Sequence, residues 1–442
     1  MARRSKPKSS DAGTQQTIAA SPDELLLAAL EQGGDTTKTG RFLMTFKEGA
    51  AAAGVKALQS KRGLRVANAR DFKNQAADLA DAGDAHAMVF PEIGVALVGG
   101  AAAAEHGITA ADFVEADSAT HSVDPEYFMF ATQVSPGDYL RGVLHTAEMI
   151  YQDIGSLHGA EIVEDVSATA VGATWGLRAC RVPQSTFDGN GIKVAVLDTG
   201  FDLGHPEFAG RPIVSQTFVG QPVQDLHSHG THTAGTALGP QSPPGNLQRY
   251  GIAFRGRMFI GKVLTNSGSG TQAQVLAGMN WAIANRCEVI SMSLGAQIPP
   301  QPSYTAAGAA ALAAGCLIIA AAGNASARPG NIQSSGAPGN SPTVMCVGAL
   351  DSSMRVASFS NGGKIDIAGP GTNTFSSVPR PQLHDTKSGT SMATPHVAGC
   401  AALWAQSNAT LRGAALRAKL IATAKHLPLP PTDVGAGLVQ AP

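Results

Sequence analysis

From residue 190 onward, short apolar runs alternate with stretches of small residues at helical spacing. Ile192–Leu197 (IKVAVL), Met258–Val263, Glu288–Met292, Leu317–Ala321 and Thr343–Val347 are nearly continuous apolar strands, with no apolar/polar alternation. A strand of that composition must be covered on both faces. His229–Ala237, Gln272–Asn285, Tyr304–Ala314, Ser391–Gln406 and Gly413–Ala424 read as the intervening helices. Repeated strand–helix units with two-sided strands predict an α/β fold: a doubly wound, mainly parallel sheet with helices on both faces. The 442 residues, 43% hydrophobic and 15% charged, suffice for a large core, and the 51 glycines and 26 prolines imply many tight turns.

The front of the chain has another texture. Residues 1–39 are expected to be disordered, most clearly the basic and polar first 21. Arg41–Lys47 reads as a strand, Ala50–Gln59 as a helix and Leu64–Ala67 as a strand. Two apolar pieces follow in Ala87–Gly99, and Phe113–Ala116 is read as a last strand. This pattern predicts a small α+β domain over residues 40–123. Residues 124–169 then form a linker with a connecting helix at Tyr139–Ile154, and 170–442 the α/β domain.

A formal net charge of −1 gives no global attraction to nucleic acid or to an anionic membrane, so neither is expected as a partner. No run approaches the ~18 apolar residues of a membrane span. The first residues are not followed by an apolar stretch of the kind a secretory leader needs, which predicts a cytoplasmic protein, with non-classical export as the alternative. The five cysteines are odd in number and form no C-x-x-C pair. They read as buried thiols rather than a disulfide framework.

Four motifs carry the chemistry. Asp198 ends a buried strand in AVLDTG, where function sits in doubly wound sheets. Asp-Thr-Gly also occurs in aspartic proteases, but that chemistry needs two such carboxylates and only one is present. His227, His229 and His232 lie in HSHGTHTAGTA; their spacing lacks the i, i+4 pair and intervening Glu of zinc proteases. Ser391 opens the helix in SGTSMATPHVAGCAAL, as an N-cap or as a nucleophile facing a helix N-terminus. Asn324 follows a strand in LIIAAAGNAS, as a turn former or as an amide donor to an oxyanion. Each is modest evidence alone.

In this order, together with VAVLDTGFDLGHPEF, GKVLTNSGSGTQAQVLAGMNWAIAN, VISMSLG and APGNSPTVMCVGALDSSMRVASFSN, the sequence resembles the subtilase family over roughly residues 170–425. The resemblance implies a subtilisin-like fold and a serine endopeptidase acting on proteins or peptides. It makes Ser391 the nucleophile, His229 the general base, Asp198 the group that orients the imidazole, and Asn324 an oxyanion donor with the Ser391 N–H. His227 and His232 are expected to be structural. Gly268, Ser269 and Gly270 would form one edge of the substrate cleft, and Ser293, Leu294, Gly295 and Ala296 the other. Ala321, Ala322, Gly323 and Gly336 would line the first specificity pocket, suited to a medium or large apolar side chain, with Gln272 and Val275 at a more distant one. The loop LGPQSPPGNLQRYGIAF carries no carboxylate, and Glu207 stands where relatives often have Asp, so no metal or other cofactor is expected and calcium has little support. AGPG at 368–371 departs from the usual APG order without touching a catalytic group.

The segment 40–123 is similar to the subtilase inhibitory propeptide through RFLMTFKEG, LRVANARDF and FVEADSATH. That similarity implies a self-processing zymogen whose own N-terminal domain is its intramolecular inhibitor, with the cut anywhere up to a mature start near 165–175. Two other readings are a catalytically silent binding protein on the same fold and a metal-dependent hydrolase built on the histidine cluster.

Overall fold

The computed structural model describes residues 18–31, 37–105, 119–131, 172–245 and 247–442. The front of the chain supplies helix α1 (Pro22–Glu31), strand β1 (Lys38–Phe46), helix α2 (Ala51–Arg62), and strands β2 (Val66–Asn68), β3 (Ala87–Phe90), β4 (Val95–Val98) and β5 (Thr120–Phe130). The strands lie in the order β2-β3-β4-β1-β5. Period-two alternation gives this sheet two apolar faces. Met44, Phe46, Ala87, Val89, Ala96 and Val98 pack with Leu58 of α2. The helix sits so close that a Cβ on Gly54 would lie 2.2 Å from the Phe46 ring. The alternate residues Leu43, Met88, Phe90, Val95 and Leu97 join the core of the following domain.

That domain is built on seven strands: β6 (Lys193–Asp198), β7 (Ile213–Thr217), β8 (Arg257–Lys262), β10 (Val289–Met292), β11 (Leu317–Ala321), β12 (Met345–Leu350) and β13 (Ile367–Pro370), with the short β9 (Ser269–Thr271) outside the sheet. Their order is β13-β12-β11-β10-β6-β8-β7, and every pairing is parallel. Neighbours reverse direction of progression at β6, which makes the end of β6 a topological switch point. Helices α3 (His229–Leu238), α6 (Thr390–Ser407) and α7 (Gly413–Thr423) cover one face, where Val194, Val196, Val289, Leu317 and Ile319 meet Ala234, Val397 and Leu420. Helices α4 (Gln272–Ala284) and α5 (Pro302–Ala313) cover the other, where Ala195, Leu197, Ile290, Met292 and Ile318 meet Val275, Met279 and Tyr304. A hairpin of β14 (Thr374–Ser377) and β15 (His384–Lys387) packs beside α3. The layers therefore run front sheet, α4 and α5, main sheet, then α3, α6 and α7.

The expected α/β architecture is present, with strand and helix ends shifted by at most three residues. Strands β7 and β13 and the β14–β15 hairpin were not foreseen; β7 is an edge strand whose residues are only half-buried, so it lacks the continuous apolar signal. Two expectations for the front need correction. The segment 1–39 is not wholly disordered: α1 is there, closed by a capping box in which Ser21 N donates to Glu24 Oε2 (2.8 Å) and Glu24 N to Ser21 Oγ (3.3 Å). Its Leu25 and Leu26 are buried against Phe128 and Phe130, an apolar face invisible from the polar stretch before it. The boundary at 123 falls inside β5, which runs on to Phe130 through what was read as linker. The readings at Phe113–Ala116 and Tyr139–Ile154 lie outside the described residues.

The front domain is fastened by one buried ion pair. Arg41 of β1 grips Glu126 of β5 with a fork, Nε to Oε2 at 2.6 Å and Nη2 to Oε1 at 3.0 Å, and neither side chain is exposed. Glu126 also accepts from the Ala273 N–H (2.9 Å) at the start of α4, and Arg41 donates to Thr271 Oγ1 (3.1 Å). A carboxylate facing a helix N-terminus is electrostatically favoured. Removing one partner of such a pair strands a buried charge and costs about 3–5 kcal/mol, whereas replacing both by apolar groups is often near neutral. Glu126→Ala in a Ser391→Ala background should thus lower the melting temperature markedly, and Arg41→Met with Glu126→Leu should recover much of the loss. Equal melting of the single and double variants would contradict this.

Candidate active site

Three chain segments converge at the carboxyl edge of the main sheet. Asp198 is the last residue of β6, His229 the first of α3, and Ser391 the second of α6. All three are buried. His229 Nδ1 lies 2.7 Å from Asp198 Oδ1. That carboxylate also accepts from the Thr199 N–H (2.7 Å) and the Thr233 hydroxyl (3.2 Å), which hold its orientation. With Nδ1 committed to a carboxylate, Nδ1 carries the ring proton and Nε2 is left basic. His229 Nε2 is buried with no hydrogen-bond partner among the described residues. The Ser391 hydroxyl donates instead to two carbonyls, Ser293 O (3.3 Å) and Ala131 O (3.4 Å).

Asn324 stands beside the start of α6. Gly323, at φ +111, makes the turn out of β11 that a side chain would resist. Asn324 Oδ1 accepts from Thr390 N (2.8 Å) and Thr390 Oγ1 (3.0 Å), which fixes the amide with Nδ2 as its remaining donor face. The Ser391 N–H lies in the first turn of α6, where amides have no acceptor within the helix. These two donors can face a developing oxyanion. Ser293, expected only as part of a cleft edge, also donates its hydroxyl to Ser391 O (2.7 Å) and ties α6 to that edge.

Both expected cleft edges are engaged, by the chain's own strand. β5 pairs antiparallel with β9, Met129 opposite Gly270 and Phe130 opposite Ser269, and Ala131 N donates to Gly268 O (2.9 Å). On its other side Phe130 exchanges both backbone bonds with Gly295, each 3.0 Å. Met129 and Ala131 point into the core beneath, while Phe128 and Phe130 point out and are covered by Leu25 and Leu26 of α1. Asp23 of α1 also accepts from Ser267 Oγ (3.1 Å) and Ser269 Oγ (2.9 Å), so the helix bridges strand and cleft rim. The pocket residues Ala321, Ala322, Gly323 and Gly336 are buried together, with Gly336 N donating to Ala322 O (3.0 Å). Gln272 is buried and turned to the front domain, its Oε1 accepting from Tyr127 N (2.8 Å).

The other histidines of the cluster stand apart from the bond-making geometry. His232 Nε2 is 2.9 Å from Thr374 O of β14, and burial pushes its pKa down to about 3. His227 packs at 6.1 Å from the His229 ring; burial and then the neighbouring imidazole push it down to about 4. Among the described residues no three His, Cys, Asp or Glu side chains gather as a metal site. Glu207 does not fit a cation: its Oε2 accepts from the Tyr250 hydroxyl and its Oε1 is 2.6 Å from His384 Nε2. All five cysteines are free and buried.

Asp198 and His229 are thus hydrogen-bonded at the switch point of a parallel sheet, and Ser391 starts a helix at the same edge. The Subtilase family model matches residues 189–437, and the chain belongs to the subtilase family. It is 37% identical over 256 residues to Subtilisin E of Bacillus subtilis (strain 168), covering 57% of this chain and 65% of that protein. It is 36% identical to Subtilisin of Bacillus pumilus over 256 residues (57% and 90%), and 39% identical to Alkaline protease of Alkalihalobacillus alcalophilus over 286 residues (63% and 71%). The match thus spans less than two thirds of the length of Subtilisin E. The relatives are secreted subtilisins, extracellular proteins, and this overturns the cytoplasmic location expected above. That expectation rested on the polar first residues alone, and the packing of an enzyme core carries no signal of compartment.

The buried neutral histidines set an acid sensitivity. His232, His227 and His396 have folded-state values of about 3, 4 and 4 against an ordinary 6.5, each mainly through burial. Between those values and 6.5 the unfolded chain binds protons that the folded chain refuses, so stability rises with pH across that window. The melting temperature of the Ser391→Ala protein should fall between pH 7 and pH 4, and His232→Gln should make the fall shallower. An unchanged slope in that variant would refute the assignment.

Proposed function

We propose that this chain is a serine endopeptidase that hydrolyses peptide bonds in proteins or peptides and is made as a self-processing zymogen. Ser391 Oγ attacks the carbonyl carbon of the scissile bond while His229 Nε2 takes its proton. Asp198 keeps the imidazole in place and stabilises the cation. The oxyanion is met by Asn324 Nδ2 and the Ser391 N–H. His229 then hands the proton to the leaving amine, and water repeats the sequence in reverse to free the acyl group. The substrate enters as an extended strand between Gly268–Gly270 and Ser293–Gly295, held by main-chain bonds. Its side chain next to the cut faces Ala321–Gly323 and Gly336, a lining of small residues that suits a medium or large apolar group.

The observation that carries this reading is β5. The chain's own strand pairs with both expected cleft edges, and it brings the Ala131 carbonyl oxygen to 3.4 Å from Ser391 Oγ. The front domain is thereby both the first substrate and, once cut, the product left in the cleft as inhibitor. Helix α1 seals the outer face of the strand. The first cut falls on the carboxyl side of Ala131 or of the residue after it, well before the 165–175 region.

Intact mass separates the alternatives. Wild type should lose residues 1–131 or 1–132, and Ser391→Ala should keep its full mass. A wild type that stays whole, and is not labelled by a serine-directed fluorophosphonate, would defeat the proposal. Asn324→Ala should lower kcat by about 10²–10³ with little change in KM, a magnitude carried over from subtilisin itself. A smaller effect in steady-state assays would remove Asn324 from the oxyanion role.

A further inference from the structure

The imidazole and its carboxylate are carried by separate segments, the turn after β6 and the start of α3. Besides the His229–Asp198 and Thr233–Asp198 bonds and one from Asp202 N to Thr231 Oγ1 (3.1 Å), those segments are joined by the side chain of Asp225, which is fully buried. Its Oδ1 accepts from Thr199 Oγ1 (3.0 Å), His227 N (2.9 Å) and Ser228 N (2.9 Å). Its Oδ2 accepts from Thr231 N (2.9 Å) and Thr231 Oγ1 (2.8 Å). Thr199 Oγ1 in turn accepts from Gly230 N (2.9 Å). Thr199 adjoins Asp198, and Ser228 and Gly230 flank His229. The backbone on both sides of the imidazole is thus pinned to one carboxylate and one hydroxyl, and both are bonded to the residue next to the triad aspartate.

The local backbone needs such a hold. Ser228 has φ +76, a left-handed conformation that a residue with a Cβ adopts only under constraint. A buried carboxylate also needs a compensating charge. Lys262, paired with Asp198 in the β6–β8 ladder, is likewise fully buried. It donates to the Thr199 carbonyl and to Asn266 Oδ1 (2.8 Å). Burial lowers Lys262 to about 8, and the charges of Asp225 and Asp198 oppose that fall.

We infer that Asp225, acting through Thr199, is a positioning residue that sets the distance and angle between Asp198 and His229, and so the rate of the hydrolysis proposed above. The inference rests on that reading of the triad. Asp225 touches neither substrate nor reacting atoms. Small misplacements of a catalytic group cost about 10²-fold in rate, whereas main-chain substrate binding at Gly268–Gly270 and Ser293–Gly295 does not involve this carboxylate.

The test uses the full chain, with Asp225→Asn, which keeps the shape but turns one acceptor into a donor, and Thr199→Val, which removes the bridging hydroxyl. Asp366→Asn is the control: that carboxylate accepts from Cys346 N (2.7 Å), Lys364 Nζ (2.6 Å) and Arg417 Nη2 (2.8 Å) away from the cleft. Three quantities are read: the first-order rate of self-cleavage, kcat and KM of the processed enzyme on a chromogenic peptide, and the melting temperature. Asp225→Asn and Thr199→Val should slow self-cleavage and kcat at least about tenfold with KM within about threefold, in keeping with a loss of alignment. Asp366→Asn should lower the melting temperature with kcat kept within about twofold. The inference is overturned if either cleft variant keeps wild-type kcat, or if the control loses as much kcat for the same loss of melting temperature. Should Asp225→Asn fail to fold, Thr199→Val decides. A wild type no more active than Ser391→Ala would instead overturn the triad reading.

Discussion

Parallel pairing of β6 with β8 on one side and β10 on the other is the constraint from which the site follows. In a parallel sheet every crossover returns the chain to the same edge, so all strands finish on one side. Asp198 ends β6, Lys262 ends β8, Ser293 follows β10 and the Ala322–Gly323–Asn324 turn follows β11. Helices α3 and α6 then deliver His229 and Ser391 by their first turns to the same edge. Asp198, His229 and Ser391 are thus brought to one edge from elements far apart in sequence by a geometry that the backbone pattern already dictates. What remains for local chemistry is fine adjustment: the Thr390 bonds to Asn324, the Ser293 bond to Ser391 O, and the anchoring of the turns around His229.

The legible part of the sequence was the part where one physical cause dominates. IKVAVL and LIIAA cannot be anything but strands covered on both faces, and both are found so, with residues alternating between the two cores. DTG, HGTH, AAAGN and SGTSMATP marked Asp198, His229, Asn324 and Ser391, which stand at strand ends and helix starts on one edge of the sheet. Elements whose order comes from partners rather than from themselves were not legible. β7 and β9 draw their order from neighbours. Helix α1 was lost in a polar leader, although Ser21 and Glu24 form a capping pair and Leu25 and Leu26 follow it. Asp225 sat in plain sight four residues before His229, yet nothing in a linear sequence says which two segments one carboxylate will tie.

The front sheet owes its stability to two different surfaces. One face is closed by α2, within the front of the chain itself. The other face turns to the larger domain: Leu43, Met88, Phe90, Val95 and Leu97 share one continuous core with Val275, Met279 and Tyr304. The Arg41–Glu126 pair sits on that seam, bonded to Thr271 and Ala273 on the far side. Docking and folding of the front domain are therefore one process, and β5 reaches the cleft as the last strand of a sheet that the enzyme helps to complete.

On the self-processing reading proposed above, this shared core would make activation a one-way event. Once β5 is severed and the front domain lifts away, a row of large apolar side chains and the Arg41–Glu126 seam meet water together. The departing piece can no longer close both of its faces, and an unfolding polypeptide is the best substrate an endopeptidase can meet. On that reading the inhibitor would be consumed by the enzyme it released, the proportion of active molecules could only climb, and how long the population stayed silent would depend on the first few molecules to let go.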